Sequence, residues 1–318
     1  MQDDPDKDLF DNAHLLPPGF RQPPRVQGPG RFYVHLPNLS LEDGVGIPFR
    51  GGELRSVPFD EWRALDREVA EKRSGIYGET RPAFFVVDDI AVTGRMHAKV
   101  SRDARVLFSI LTLNGMRMDP PRTSTAYVWR QGQVARFVGV HDRRTILNGP
   151  VRVRLRKTDE GLLQGLLDAV SRLEPKGAVF DLPELSSIVQ ACGRGGGEEA
   201  PIDDIMRLTV ALEALLVKDV TAGITAAFVD RVGQFVREPG EDASELARDL
   251  RTLYALRSDA LHGRDWADSL AGTGRDEPAW SAWAHQILLR AAHRVVAQVG
   301  GAADPRLALD TLQTSLMP

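Results

Sequence analysis

The sequence predicts an α+β protein, in which an N-terminal, mostly antiparallel β-rich domain is followed by a C-terminal antiparallel α-helical bundle. Two observations carry this. Up to about Thr158 the apolar residues come in short β-branched and aromatic runs divided by Gly, Pro and Asn, the texture of strands and turns. Beyond Thr158 they recur every three and four positions, the period of helices that bury one face. With 318 residues the chain suits one large or two ordinary domains and can bury a sizeable core. The boundaries read as an extended arm over 1–30, a β-rich domain over 31–158, a helical domain over 159–300 with a linker at 193–201, and a tail over 301–318.

Taken in order, the arm is rich in Pro, Asp and Gly and shows no periodicity. Strands are expected at Phe32 to Leu36, Leu54 to Phe59, Ala83 to Val87, Val106 to Leu113, Ala126 to Arg130, Val134 to Val140 and Val151 to Leu155. One helix interrupts them, capped by Asp60 and running to about Arg73 with Trp62, Leu65 and Val69 as its stripe. A helix through Leu162, Leu166, Val170 and Leu173 comes next, then a shorter one around Leu182 to Ala191. The run Gly193-Arg194-Gly195-Gly196-Gly197 breaks the chain; with no Gly-Lys-Ser/Thr after it, it reads as a linker rather than a phosphate cradle. Four longer helices complete the bundle: Ile202 to Lys218, Thr221 to Arg237, a segment from Ala243, and Ala279 to Val299.

Charge is unevenly spread. The net charge is -4, yet Ala91 to Lys157 holds fourteen Lys and Arg against three acids. In Val151-Arg152-Val153-Arg154-Leu155-Arg156 the alternation puts Arg152, Arg154 and Arg156 on one strand face at about 7 Å intervals, near the phosphate spacing of an extended single strand. With Arg143 and Arg144 just before it, this strand is a candidate RNA contact, set against the plainer reading of a half-exposed strand. The single cysteine, Cys192, excludes an internal disulfide and a cysteine-rich zinc site, and no cofactor motif is present. No signal peptide or membrane-length apolar run is seen, so the expected location is cytoplasmic, away from membranes.

The stretch that asks for an explanation is Leu253-Tyr254-Ala255-Leu256-Arg257-Ser258-Asp259-Ala260-Leu261-His262-Gly263. Leu246, Leu250 and Leu253 form a core stripe whose next position is Arg257. An unpaired buried guanidinium costs several kcal/mol, roughly, so it needs an acidic partner, a second subunit or a wet cleft. Glu213, on a stripe of the Ile202 to Lys218 helix with Met206, Val210 and Val217, is the natural partner for a bidentate match. Gly263 is the residue type that ends helices, which puts His262 in the last turn, where the macrodipole favours the imidazolium form.

With Leu212-Glu213-Ala214-Leu215-Leu216 about forty residues upstream, this stretch resembles the HEPN superfamily, closest to its ApeA-like branch of prokaryotic anti-phage and toxin-type proteins. Arg257 and His262 match the family's Arg-polar-variable-His signature, and Ser258 stands where Asn, Asp or His is more usual. The resemblance covers roughly Ile202 to Val299. It implies a homodimer that cleaves RNA without metal, each subunit giving one Arg and one His to a shared site. It also implies RNA as the partner, with tRNA one candidate, and a phage-derived or other trigger acting at the N-terminal domain.

The residue chemistry agrees. Attack of a 2′-OH on its own phosphodiester needs a proton-moving group and a fixed cation, roles that suit His262 and Arg257. Asp259, three positions before His262, can orient its ring. Five positions turn about 140° away around a regular helix, so one chain alone does not put both groups on one face. The competing class is a non-catalytic dimerisation or ligand- and RNA-binding module, with Arg257 a structural bridge to Glu213. Ser/His/Asp catalysis lacks a nucleophile elbow, and the seven histidines show no metal-ligand spacing.

Overall fold

In the computed structural model, residues 29–67, 70–71, 75, 77, 79–118, 126–130, 133–137, 153–194 and 201–317 are described. The chain divides into two compact units, 1–174 and 175–318. The first is built on a curled mixed sheet and the second is mostly helical, so the α+β class holds.

The sheet contains β1 (Gly30–Leu41), β2 (Gly46–Phe49), β3 (Gly52–Ser56), β4 (Arg81–Ile90), β5 (Ala126–Arg130), β6 (Gln133–Phe137) and β7 (Val153–Leu155). Their order is β2-β3-β4-β1-β5-β6, all antiparallel, while β7 lies parallel to the end of β1. Arg50 and Gly51, both at positive φ, make the two-residue turn between β2 and β3 that the twist of a hairpin favours.

Strand β1 is covered on both sides. Tyr33, Phe84 and Val86 pack with Trp62, Leu65, Tyr77 and Tyr127 on one face. Phe32, one step along and so on the opposite face, approaches His97 of helix α2 (Gly94–Leu113), their rings 6.2 Å apart. A strand buried on both faces has no polar alternation, which is why even His35 is buried there, its ring 4.9 Å from that of Phe84.

Helix α2 corrects the expected strand at Val106 to Leu113. Thr93 caps it, its hydroxyl accepting from the Met96 N–H at 3.3 Å, and Val100, Ala104, Leu107 and Leu111 recur at helical spacing. Because Val106, Phe108 and Ile110 are buried too, the segment reads as a continuous apolar run, which periodicity alone cannot tell from a buried strand. Helix α1 is shorter than expected, Phe59–Leu65, with Pro58 rather than Asp60 at its cap and its end at the extended Asp66. Helix α3 (Glu160–Leu173) packs on α2 and lies in the first unit, although its period had marked it for the bundle.

The second unit begins with a 3₁₀ segment and contains α4 (Pro183–Arg194), α5 (Pro201–Leu216), α6 (Ile224–Val236), α7 (Ala243–Leu261), α8 (Ala267–Leu270), α9 (Glu277–Val299) and α10 (Pro305–Ser315). Helix α5 packs against α4, α7 and α9, and α6 against α7. Buried Ala284, Ala291 and Ala292 on α9 leave room for close approach. The supposed tail carries α10, capped by Asp304 and tied down by Arg306, whose two Nη groups both donate to Glu184 at 2.8 Å. Of the expected linker, residues 195–200 lie outside the described residues, as does the arm up to residue 28. No described helix is long and apolar enough to cross a membrane.

Candidate active site

Helix α7 starts at Asp242, whose carboxylate accepts from the Ser244 and Glu245 N–H groups at 2.7 and 3.2 Å. Leu246, Leu250 and Leu253 form its core stripe, and the stripe continues into Leu256 rather than Arg257. Arg257 therefore sits at the stripe's edge, its side chain 20 % exposed.

It has found the expected partner. The Arg257 Nη2 donates to Glu213 Oε2 at 2.8 Å, from α7 to α5. The match is a single bond, not the bidentate pair expected from sequence. The guanidinium lies over the Tyr254 ring, 5.5 Å from its centroid, which presents one Nη to the carboxylate. The Arg257 Nε is buried and has no hydrogen-bond partner among the described residues. Tyr254 is buried against Phe228, ring to ring at 5.1 Å. Burial first, then the facing Glu213 carboxylate, push the Tyr254 phenol above its ordinary pKa. Tyr254 was missed in the sequence although it stands one helical turn before Arg257, where side chains meet.

The end of α5 that carries Glu213 is itself held. Arg231 of α6 donates from Nη1 to the Leu216 carbonyl at 3.1 Å and to Asp219 at 2.8 Å, satisfying a helix-end carbonyl with a cation. Arg231 stands three positions after Phe228 and four before Phe235, both buried, so the spacing that singled out Arg257 marks it as well, although the sequence reading did not use it.

Helix α7 ends as Gly263 predicted. Gly263 has φ +64, its N–H donates to the Ala260 carbonyl at 3.2 Å and the Arg264 N–H to the Asp259 carbonyl at 2.8 Å, the two bonds of a Schellman cap. His262 is the C-cap residue, its N–H donating to the Ser258 carbonyl at 3.1 Å. Its imidazole is exposed and makes no hydrogen bond or ion pair among the described residues. Ser258 thus contributes its backbone carbonyl. Asp259 does not orient the His262 ring: its Oδ2 accepts from Ser269 Oγ of α8 at 2.6 Å, and its Oδ1 lies 3.8 Å from Arg264. It anchors the chain that leaves α7.

Two apolar side chains stand exposed on the helices that carry the pair, Leu261 at 59 % and Val210 at 49 %. The sequence had placed Val210 on a second buried stripe. Among the described residues no cluster of three His, Cys, Asp or Glu could hold a metal.

The basic strand lies in the first unit. Arg154 donates to the Tyr77 carbonyl at 3.1 Å, so part of its donor set serves the fold. Arg156 is exposed; its backbone N–H, not its guanidinium, bonds Asp159. Arg143, Arg144 and Arg152 lie outside the described residues. Comparison with protein-family models, curated proteins and solved structures finds no match to this chain.

Proposed function

We propose that the helical unit is a metal-independent endoribonuclease whose site is completed by a second copy of the chain. The observation that supports this most directly is the state of the two groups on α7. Arg257 is fixed at the edge of the core by Glu213 with its side chain 20 % exposed, while His262, five positions on, is exposed and unengaged among the described residues. A held cation suits a phosphorane's developing charge, and an unengaged imidazole suits proton transfer. Exposed Leu261 beside His262 gives a copy-to-copy contact an apolar anchor.

In this reading one His262 removes the 2′-OH proton as the oxygen attacks phosphorus, and the His262 of the second copy protonates the leaving 5′ oxygen. The products are a 2′,3′-cyclic phosphate and a 5′-OH, with both Arg257 side chains balancing charge at phosphorus. The first unit acts as sensor or substrate platform, Arg154 and Arg156 contacting RNA phosphates, and the whole serves as a toxin or defence effector released by a trigger.

A second reading keeps the bundle and drops the chemistry: the bond to Glu213 already neutralises Arg257, as in a structural bridge of a dimerisation or binding module. His262→Ala separates them. Wild type should leave cyclic-phosphate fragments from total RNA, tRNA among the substrates to score first, and the variant should lose at least about a hundredfold in rate. Equal cleavage by both proteins, or by neither under any trigger, sinks the ribonuclease reading.

A further inference from the structure

One side chain beneath the pair reaches both of its members, Arg257 and Glu213: Tyr254. Tyr254 is buried, buttressed by Phe228 at 5.1 Å, and spans two parts of the pair: its ring underlies the Arg257 guanidinium at 5.5 Å and its hydroxyl faces Glu213. An arginine tethered by one hydrogen bond can still rotate about its long stem, and here Nη2 alone is bonded to Glu213. The buried Nε, without an acceptor among the described residues, says that orientation is imposed from outside the guanidinium rather than by a full set of its own bonds.

We propose that Tyr254 is a positioning residue: its ring and hydroxyl, acting on Arg257 and on Glu213, fix the plane of the guanidinium and so aim its unbonded edge outward. The role rests on the ribonuclease reading for its purpose, though not for its existence. Tyr254 touches no substrate; it decides which face of Arg257 a phosphate meets. Two effects cooperate. The ring holds the cation by its quadrupole, and the hydroxyl restrains the carboxylate that receives Nη2. Removing the hydroxyl alone leaves the ring in place; removing the ring frees the stem.

The test uses the full chain with Tyr254→Phe and Tyr254→Leu. In a 15N-labelled protein the Arg257 Nε–Hε signal, identified by its loss in Arg257→Lys, should stand apart from those of exposed arginines and exchange slowly. Tyr254→Phe should shift it and speed its exchange several-fold; Tyr254→Leu should merge it with the exposed signals. If neither variant moves the signal, Tyr254 does not position Arg257 and the proposal is overturned, whatever the RNA assays give. Tyr254→Phe, which loses one hydroxyl, keeps the test decisive where Tyr254→Leu fails to fold. With RNA, kcat should fall by about tenfold in Tyr254→Phe while KM moves by less than about twofold, since the lost term acts on the developing charge. An unchanged kcat per folded molecule, in a wild type that does cleave, also overturns it. A signal that collapses as expected in a protein that cuts no RNA leaves the positioning intact and removes only the ribonuclease reading.

Discussion

Arg257 and Glu213, forty-four residues apart, meet at 2.8 Å and join the C-terminal halves of α5 and α7 through one hydrogen bond. Each side chain is largely buried, 20 % and 17 % exposed, so neither charge can lose its partner cheaply. Replacing Glu213 by Gln should cost about 1 to 3 kcal/mol of stability, because Arg257 keeps its charge and loses its counter-charge. The double change Glu213→Leu with Arg257→Met should recover most of it. Urea midpoints for the three proteins measure this, and a Glu213→Gln midpoint equal to wild type would show the bond to be idle.

The cap at Gly263 makes a separate prediction. A Cβ there meets nothing within 4 Å, so the cost of Gly263→Ala is the backbone's alone: holding alanine at φ +64 costs about 1 kcal/mol. Asn should be tolerated better. Since this residue sets the turn beside His262, Gly263→Ala should also slow any RNA cleavage more than its stability loss explains, and thermal melts run alongside rate assays separate the two.

Acid should act on the helical unit through Glu184. Hydrogen bonds from Arg306, and then Lys218, outweigh burial and hold its pKa at about 2, below the ordinary 4.5. A depressed folded-state value means that the unfolded chain takes up the proton first. The stabilisation is therefore complete above about pH 5 and drains away as pH falls through 4.5 towards 2. Glu184→Gln should be less stable at pH 7 and flatter across that window, as followed by circular dichroism. A wild-type curve with the same slope as the variant's would contradict this.

For the basic strand, the two described arginines should behave differently. Arg156, exposed and with no side-chain bond among the described residues, should lower the salt dependence of single-stranded RNA binding by about 0.7 in log–log slope when changed to Gln, one phosphate's share. Arg154→Gln also breaks the bond to the Tyr77 carbonyl and should lower stability as well as the slope. Slopes unchanged in both variants would leave the strand as an ordinary half-exposed one.

The proposed pairing of two copies rests on Leu261. At 59 % exposure beside the C-cap it offers apolar surface that a second copy would cover. Leu261→Glu should give a monomer on sizing at micromolar concentration where wild type gives a dimer. A wild type that is monomeric with and without RNA would end the composite-site proposal.

The fold was legible where one face is buried and one is wet. Leu246, Leu250 and Leu253 stand in the core as their spacing predicted, and Gly263 closes α7 in the left-handed conformation. It was not legible where burial is all round. Residues Val106 to Leu113 are helix but read as strand, because Val106, Phe108 and Ile110 are apolar and buried where a one-faced helix would show polar positions. Strand β2 went unnoticed because Gly46–Phe49 is too short to show one.

For the candidate site, the sequence by itself set the carboxylate partner of Arg257, the helix end at His262 and the cap that produces it. These follow from which residue types a helix can bury and which can end it, both local constraints. Only the tertiary structure decided that the Arg257 bond is single, that Tyr254 underlies it and that Asp259 turns to Ser269 rather than His262. The reason is directional. Periodicity fixes which face of a helix a residue occupies, whereas the partner of a polar group depends on what the neighbouring helix or loop brings within about 3 Å of it.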